Sequence, residues 1–348
     1  MNTNTRKIIA LVALLLLGTV IYFYYRNTAS REIVLDKKIK VTENAKSFHL
    51  STNGLMIFDN NLYILNRDGD LIKTVKAKNV ELEAFFANNY AFLYDQDLGR
   101  ISQYQDSGEF IRNIKITDNL FNIKYENKNF ILHTKYENGE RLWCLTTDGK
   151  LKKIYESANS ILAYDVKDMD TFVIAELKVE TNGYTTNCVI KNSSKNKTYS
   201  NGSEVALAVK YSDSRVVMVT NKNLYAFEGD EVKSVEIPNM SDVAVVDRSV
   251  YLLHSGILSK YNSKLEEVTK HIVAANVEKL QQVSKSLYAY SNSDIAGNLL
   301  QRNEFYYRFP SEAEKIEISG IRIGVLQDGT VTLYKVTNGR NEVGEANK

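Results

Sequence analysis

The chain is written in short apolar runs separated by polar turns. Its most legible stretch is Leu62-Tyr63-Ile64-Leu65-Asn66-Arg67-Asp68-Gly69-Asp70-Leu71-Ile72, an apolar strand, a polar turn and a second strand. Asp68-Gly69 can take the positive φ angles of a tight primed turn, whose twist matches that of the flanking strands. Comparable turns follow apolar strands at Ser107-Gly108, Asp148-Gly149, Asn192-Ser193, Gly229-Asp230, Asn262-Ser263, Asn303 (after Leu299-Leu300) and Asn338-Gly339. These eight hairpins recur at a mean spacing of roughly 39 residues, which suits four-stranded propeller blades.

A further apolar run precedes each hairpin: Leu55-Met56-Ile57-Phe58, Tyr90-Ala91-Phe92-Leu93, Phe130-Ile131-Leu132, Phe172-Val173-Ile174, Val216-Val217-Met218-Val219, Val250-Tyr251-Leu252-Leu253, Leu287-Tyr288-Ala289-Tyr290 and Ile323-Gly324-Val325-Leu326. Continuous apolar runs, rather than alternation, predict second strands covered on both faces, as in blades stacked against neighbours. The fold class expected is therefore all-β, a β-propeller of eight four-stranded blades, with seven as the alternative if the short repeats near Gly229 and Ser263 merge. From Leu265 through Val268, Ile272, Val273, Val277 and Leu280 to Val283 the apolar spacing is nearer 3.6, so a helix competes with strands there. Residues 32–41 read as a strand ahead of the first blade, whereas the last blade runs out of chain. We expect residues 32–41 to supply its outer strand and close the ring.

The N-terminus departs from this pattern. After a polar tail, residues 1–7, the stretch 8–25 carries no charge. Eighteen helical residues reach about 27 Å, enough to cross the hydrocarbon core. Ile8, Leu14 and Leu17 are expected inside the bilayer, and Tyr22 and Tyr25, in the cluster Tyr22-Phe23-Tyr24-Tyr25, at its interface. Bulky aromatics stand where a signal-peptide cleavage site needs small residues, so an uncleaved signal anchor is predicted. Residues 26–31 form a linker, 32–340 the propeller and 341–348 a polar tail. Basic residues follow the apolar run as well as precede it, but long domains are translocated largely regardless of charge, so the ring is expected outside the cytoplasm.

Composition fits an ordered strand protein, with 44% hydrophobic residues, 22 Tyr, 13 Phe and 2 Pro. Four of the 44 basic side chains (Arg6, Lys7, Arg26, Arg31) and none of the 42 acidic ones lie in residues 1–31, which leaves residues 32–348 with 40 against 42. That balance gives no electrostatic footprint for nucleic acid.

Chemistry is sparse. His49, His133, His254 and His271 fall in different repeats without metal-ligand spacing. Asp165, Asp168 and Asp170 lack the glycine and distal glutamate of a calcium loop and read as a solvated turn. Cys144 and Cys188 occupy matching places in the third strands of successive blades, which fan apart, so no disulfide is expected between them. No nucleophile elbow, phosphate loop, dinucleotide fingerprint or tryptophan-aspartate dipeptide is present. We therefore expect no enzyme activity, no cofactor and no metal. A ligand surface, if there is one, should lie at the ends of the inner strands, where alignment of the repeats places Tyr125, Tyr164, Asp165, Lys210, Tyr211, Asp247 and Arg248.

An N-terminal anchor, a short linker and tyrosine-rich blades, with residues 62–69 and 142–149 the clearest repeats, make the chain resemble a domain-of-unknown-function family of membrane-anchored propellers from Gram-positive bacteria. It is also distantly similar to the propeller scaffold of the outer-membrane assembly machinery, without that family's lipobox. The resemblance implies architecture and no activity, and no site residue carries over. The expected function is a single-pass cell-membrane protein, held in the lipid bilayer by residues 8–25, that presents a scaffold for envelope proteins. The alternative is a sensor or binding module for a small extracellular ligand such as a glycan.

Overall fold

Each apolar run of the sequence becomes one strand of an antiparallel blade. The computed structural model describes residues 12–20, 30–77, 81–192, 195–212, 215–301 and 303–339. Their strands form eight four-stranded sheets, so the ring is eight-bladed rather than seven-bladed. Blade one comprises Ser47–Leu50, Gly54–Phe58, Leu62–Asn66 and Leu71–Val75, numbered from the channel outward. In blades two to eight the inner strands are Glu83–Ala87, Asn119–Glu126, Ser160–Val166, Ala206–Ser212, Asp242–Val246, Lys279–Val283 and Lys315–Ser319. At the hairpins legible in the sequence, Gly69 and Gly149 take φ of 77° and 86°, which a Cβ would oppose, but Asp68 and Asp148 keep negative φ, so these are not the primed turns expected.

The core is divided among the seams. Each of eight apolar clusters draws on two adjacent blades and fills the wedge between them. Second strands feed two seams at once because alternate side chains point to opposite faces. Met56 and Phe58 enter the seam between blades one and two, while Leu55 and Ile57 enter that between blades eight and one. Every residue of Gly54–Phe58 and of Arg215–Thr220 is accordingly buried.

Blade eight is built from both ends of the chain. Its strands run Lys315–Ser319, Arg322–Gln327, Thr330–Asn338 and then Arg31–Ile39, which pairs antiparallel from Arg31 opposite Asn338 to Ile39 opposite Val331. The segment 265–283 is two strands and a connection, not a helix. Leu265 sits at φ 63°, Glu267–Ile272 is the outer strand of blade six, and Ile272 is 81% exposed. Leu265 and Val277 are buried in different seams, so their helical spacing marks no common face. In blade seven the third strand is Asp294–Gly297, and Leu299-Leu300 belongs to the turn after it.

Strands within a blade alternate in direction, so the turns after first strands and after third strands share one face. The third strand of blade eight ends on that face at Asn338, and the closing strand begins there at Arg31. We term it the N-terminal face.

Gly324, in the second strand of blade eight, lies flat against the Phe48 ring; a Cβ there would stand 2.5 Å from Phe48 Cε2. Gly324→Ala is expected to lower stability by about 1–2 kcal/mol, because displacing a fully buried ring outweighs the entropy gained from removing a glycine. Urea unfolding checks this, and an unchanged midpoint would show that the seam relaxes without cost.

Candidate functional site: the two mouths of the channel

On the N-terminal face the channel opens into a cavity of about 850 Å³ lined by blades one, two, three, seven and eight. Its wall carries His49, Lys315 and Glu317. His49 Nδ1 lies 3.0 Å from Glu317 Oε2, and Nε2 lies 2.7 Å from the Asn88 carbonyl. A carboxylate and a carbonyl only accept, so both contacts are hydrogen bonds when each ring nitrogen carries hydrogen, an arrangement that favours the imidazolium form of His49. Burial works to lower the pKa of His49, but the hydrogen bond and charge of Glu317 and the Asn88 carbonyl outweigh it, and the value is raised. Burial likewise opposes ionisation of Glu317, yet His49 and Lys315 hold its pKa below the ordinary glutamate value. Lys315 Nζ donates to Glu317 Oε1 at 2.8 Å and to the Phe48 carbonyl at 2.7 Å, and the Leu50 amide donates to Glu317 Oε2 at 2.8 Å. Phe86 stacks on His49 with centroids 5.6 Å apart. One charge cluster thus ties blades eight, one and two together.

Of the seven residues picked out by repeat alignment, Tyr125 alone lines this cavity, packed on Phe130 at 5.0 Å between centroids. Tyr164 is buried beneath Lys124, whose Nζ sits 4.4 Å above its ring, and burial followed by the charge of Glu126 raises its pKa. Buried Asp165 accepts from Lys210 Nζ at 2.6 Å and from the Tyr211 amide at 2.8 Å. The Tyr211 hydroxyl donates to the Lys191 carbonyl at 2.8 Å, and burial pushes its pKa up to about 12. The Asp247 carbonyl accepts from Ser212 Oγ at 2.8 Å and the Arg248 carbonyl from Arg215 Nη2 at 3.0 Å. Asp165, Lys210, Tyr211, Asp247 and Arg248 therefore stitch blades four, five and six to one another. Asp165 belongs to a recurring device in which a carboxylate on one inner strand accepts an amide of the next. Glu126 does so with Val166, Asp242 with Leu280 and Glu317 with Leu50.

The opposite mouth carries a different feature. The inner strands of blades three, four and five each bear a β-bulge near their start, at Phe121, Leu162 and Leu207. A bulge re-aims the unopposed side chain. These three are turned out of the core, 47%, 36% and 47% exposed.

Each bulge sits beside a buried carboxylate network. Asp118 accepts from Thr134 Oγ1 at 3.1 Å and Arg141 Nη1 at 3.2 Å, and Thr134 accepts from Trp143 Nε1 at 3.0 Å. Glu176 accepts from Tyr155, Ser157 and, at 2.9 Å, Asn159 Nδ2. Glu204 accepts from Thr220 at 2.6 Å, Asn223 Nδ2 at 2.8 Å and Tyr225 at 2.9 Å, and burial followed by this carboxylate pushes the Tyr225 phenol up to about 12. Satisfied buried networks rigidify the backbone around them, so the apolar rim is held in place. Repeat alignment found none of this, because a bulge leaves no mark in composition.

Cys144 and Cys188 are free thiols buried in two successive seams, with no disulfide between them. Among the described residues no group of His, Cys, Asp or Glu could hold a metal ion. Residues 12–20 are helical and expose Leu14 and Leu17; Ile8, Tyr22 and Tyr25 lie outside the described residues. Among the described residues no helix is long and apolar enough to cross a membrane.

These features define the class: an eight-bladed β-propeller with a polar mouth and an apolar rim. No protein-family model and no curated protein sequence matches the chain. Among solved structures the ring is similar to BamB from Moraxella catarrhalis, with a TM-score of 0.56 over 90% of this chain and 100% of that one at 10% identity. The WD40 domain of Pan2 from Neurospora crassa matches 74% of this chain and 89% of its own at a TM-score of 0.47 and 10% identity. At such identities the likeness to BamB shows the fold alone.

Proposed function

We propose that the protein is a single-pass, membrane-anchored propeller that stands outside the cytoplasm and acts as a non-catalytic scaffold for envelope proteins. The uncharged run of residues 8–25 supports the anchor, and the aromatic cluster Tyr22-Phe23-Tyr24-Tyr25 at its end suits a membrane interface. The observation that carries the scaffold role is the rim of Phe121, Leu162 and Leu207, three apolar side chains turned outward by bulges in successive blades. Side chains exposed by a repeated backbone device, on a rigid support and opposite the anchored face, are placed to meet a partner.

Photo-crosslinkers at Phe121 and Leu207 of the full chain in cells should give one adduct of discrete mass that is absent with the crosslinker at Tyr125. Phe121→Ser with Leu207→Ser should weaken that adduct about tenfold without lowering the melting temperature. Equal labelling from both mouths would overturn the scaffold.

A second reading has its own observation. The 850 Å³ cavity, with Tyr125, Gln281, Gln282 and Tyr290 converging on it, has the size and polarity of a small-ligand site. Saturable binding of an oligosaccharide, lost in Tyr125→Ala, would carry that reading instead.

A further inference from the structure

A second cavity on the N-terminal face, about 630 Å³, opens at the seam between blades eight and one and adjoins the channel mouth through Thr52, Ser284, Ser319 and Gly320. Three cations line it: Arg67 from the third turn of blade one, Arg322 from the second strand of blade eight, and Lys335 from the strand beside the closing strand. Both guanidiniums are aimed by one loop. Arg67 Nε donates to the Thr52 carbonyl at 2.9 Å, and Arg322 donates to the carbonyls of Ser51 and, at 3.3 Å, Gly54. Carbonyls orient a guanidinium without neutralising it, and among the described residues none of the three cations forms an ion pair. Two exposed carboxylates, Asp36 and Asp68, also line the cavity and leave one net positive charge. Burial, then the charge of Arg67, lowers the pKa of Arg322, with Asp36 acting in the opposite sense. Two like charges held together in a half-buried groove are relieved by an anion between them.

We propose that this groove binds a phosphate group through Arg67, Arg322 and Lys335, and that the phosphate belongs to an anionic lipid headgroup. The lipid assignment rests on the anchored reading above. Arg31 begins the closing strand on this face, and the five residues from 26 to 30 span at most about 17 Å when extended. A bilayer holding residues 8–25 is therefore within reach of the groove. Arg is suited to the site because its planar fork can grip two phosphate oxygens at once.

The test has two arms, both on the full chain. In detergent, inorganic phosphate is titrated while hydrogen exchange of residues 51–54 and 67–70 is followed. In nanodiscs, the same amides are compared between phosphatidylglycerol and phosphatidylcholine. Protection in phosphatidylglycerol alone, weakened about tenfold by Arg322→Gln and by Lys335→Gln, is the expected result. Protection by inorganic phosphate with no difference between the lipids would keep the anion site and overturn the lipid assignment. No protection in either arm would overturn the site. Failure of the chain to remain with the discs would instead count against the anchor and leave the detergent arm decisive for the groove. Because Arg322 also binds loop carbonyls, its variant is read beside Lys335→Gln, whose side chain is exposed, and both are melted without ligand to confirm folding.

Discussion

A chain that begins at residue 40 instead of residue 30 should lose about 5 kcal/mol or more of stability and scatter more light than the longer chain at equal concentration. Arg31–Ile39 is the outer strand of blade eight, and without it the strand Thr330–Asn338 becomes a free edge nine residues long. Long unpaired edges are templates for pairing with other chains. Removal also strips Ile33 from the seam between blades seven and eight, and Ile39 from the seam between blades eight and one. Each buried isoleucine is worth about 2–4 kcal/mol, against a total of about 5–15 kcal/mol for an ordinary domain. Urea midpoints and light scattering of the two chains provide the comparison. Side-chain variants separate packing from hydrogen bonding: buried Ile33→Ser should reproduce part of the loss, whereas Val34→Ser, on the exposed face, should cost little. Equal midpoints for the two chains would mean that the last blade is stable with three strands.

The closing strand was legible because it is an apolar strand left over before the first complete repeat. The eight second strands were legible because burial on both faces removes alternation, as in Val216-Val217-Met218-Val219, and the hairpins because Gly69 and Gly149 supply the positive φ their turns need. The third strand of blade seven was harder to see. Its strand residues Asp294–Gly297 are outweighed in hydropathy by Leu299-Leu300, which serve the core from a turn. Sequence position placed Tyr125, Asp165 and Lys210 alike at the ends of inner strands; Tyr125 lines the cavity, whereas Asp165 and Lys210 pair with each other across adjacent blades. Their partners come from the neighbouring blade, 45 residues away in the Asp165–Lys210 pair, and nothing local announces which carboxylate will reach the next inner strand. The His49–Glu317 pair joins residues 268 positions apart by number and could not be read from either repeat alone.

That pair should give the fold a pH dependence of defined sign. His49 has a raised pKa, so its contribution is fully present below the unfolded value of 6.5 and is lost as pH rises through the higher folded value. Glu317 has a lowered pKa, so its contribution is present above the unfolded value of 4.5 and is lost as pH falls through the lower folded value. The cluster is therefore strongest between those two unfolded values and weakens on the alkaline side first under ordinary conditions. Lys315, which faces both groups, opposes the charge on His49 and keeps Glu317 ionised after His49 has lost its proton. His133 and His254, whose pKa values burial lowers, act with the opposite sign, so the difference between native and variant chains is the quantity to measure. The native chain should exceed His49→Gln by about 2 kcal/mol near pH 6 in urea unfolding, and this advantage should shrink as pH rises to about 9. Glu317→Gln should cost at least as much near pH 6, since it removes the charge between His49 and Lys315 and its one remaining acceptor oxygen cannot serve both Lys315 and the pair formed by His49 and the Leu50 amide. An advantage over His49→Gln that stays constant from about pH 6 to pH 9 would mean that the ring is held by its shape and its stacking on Phe86, not by its charge.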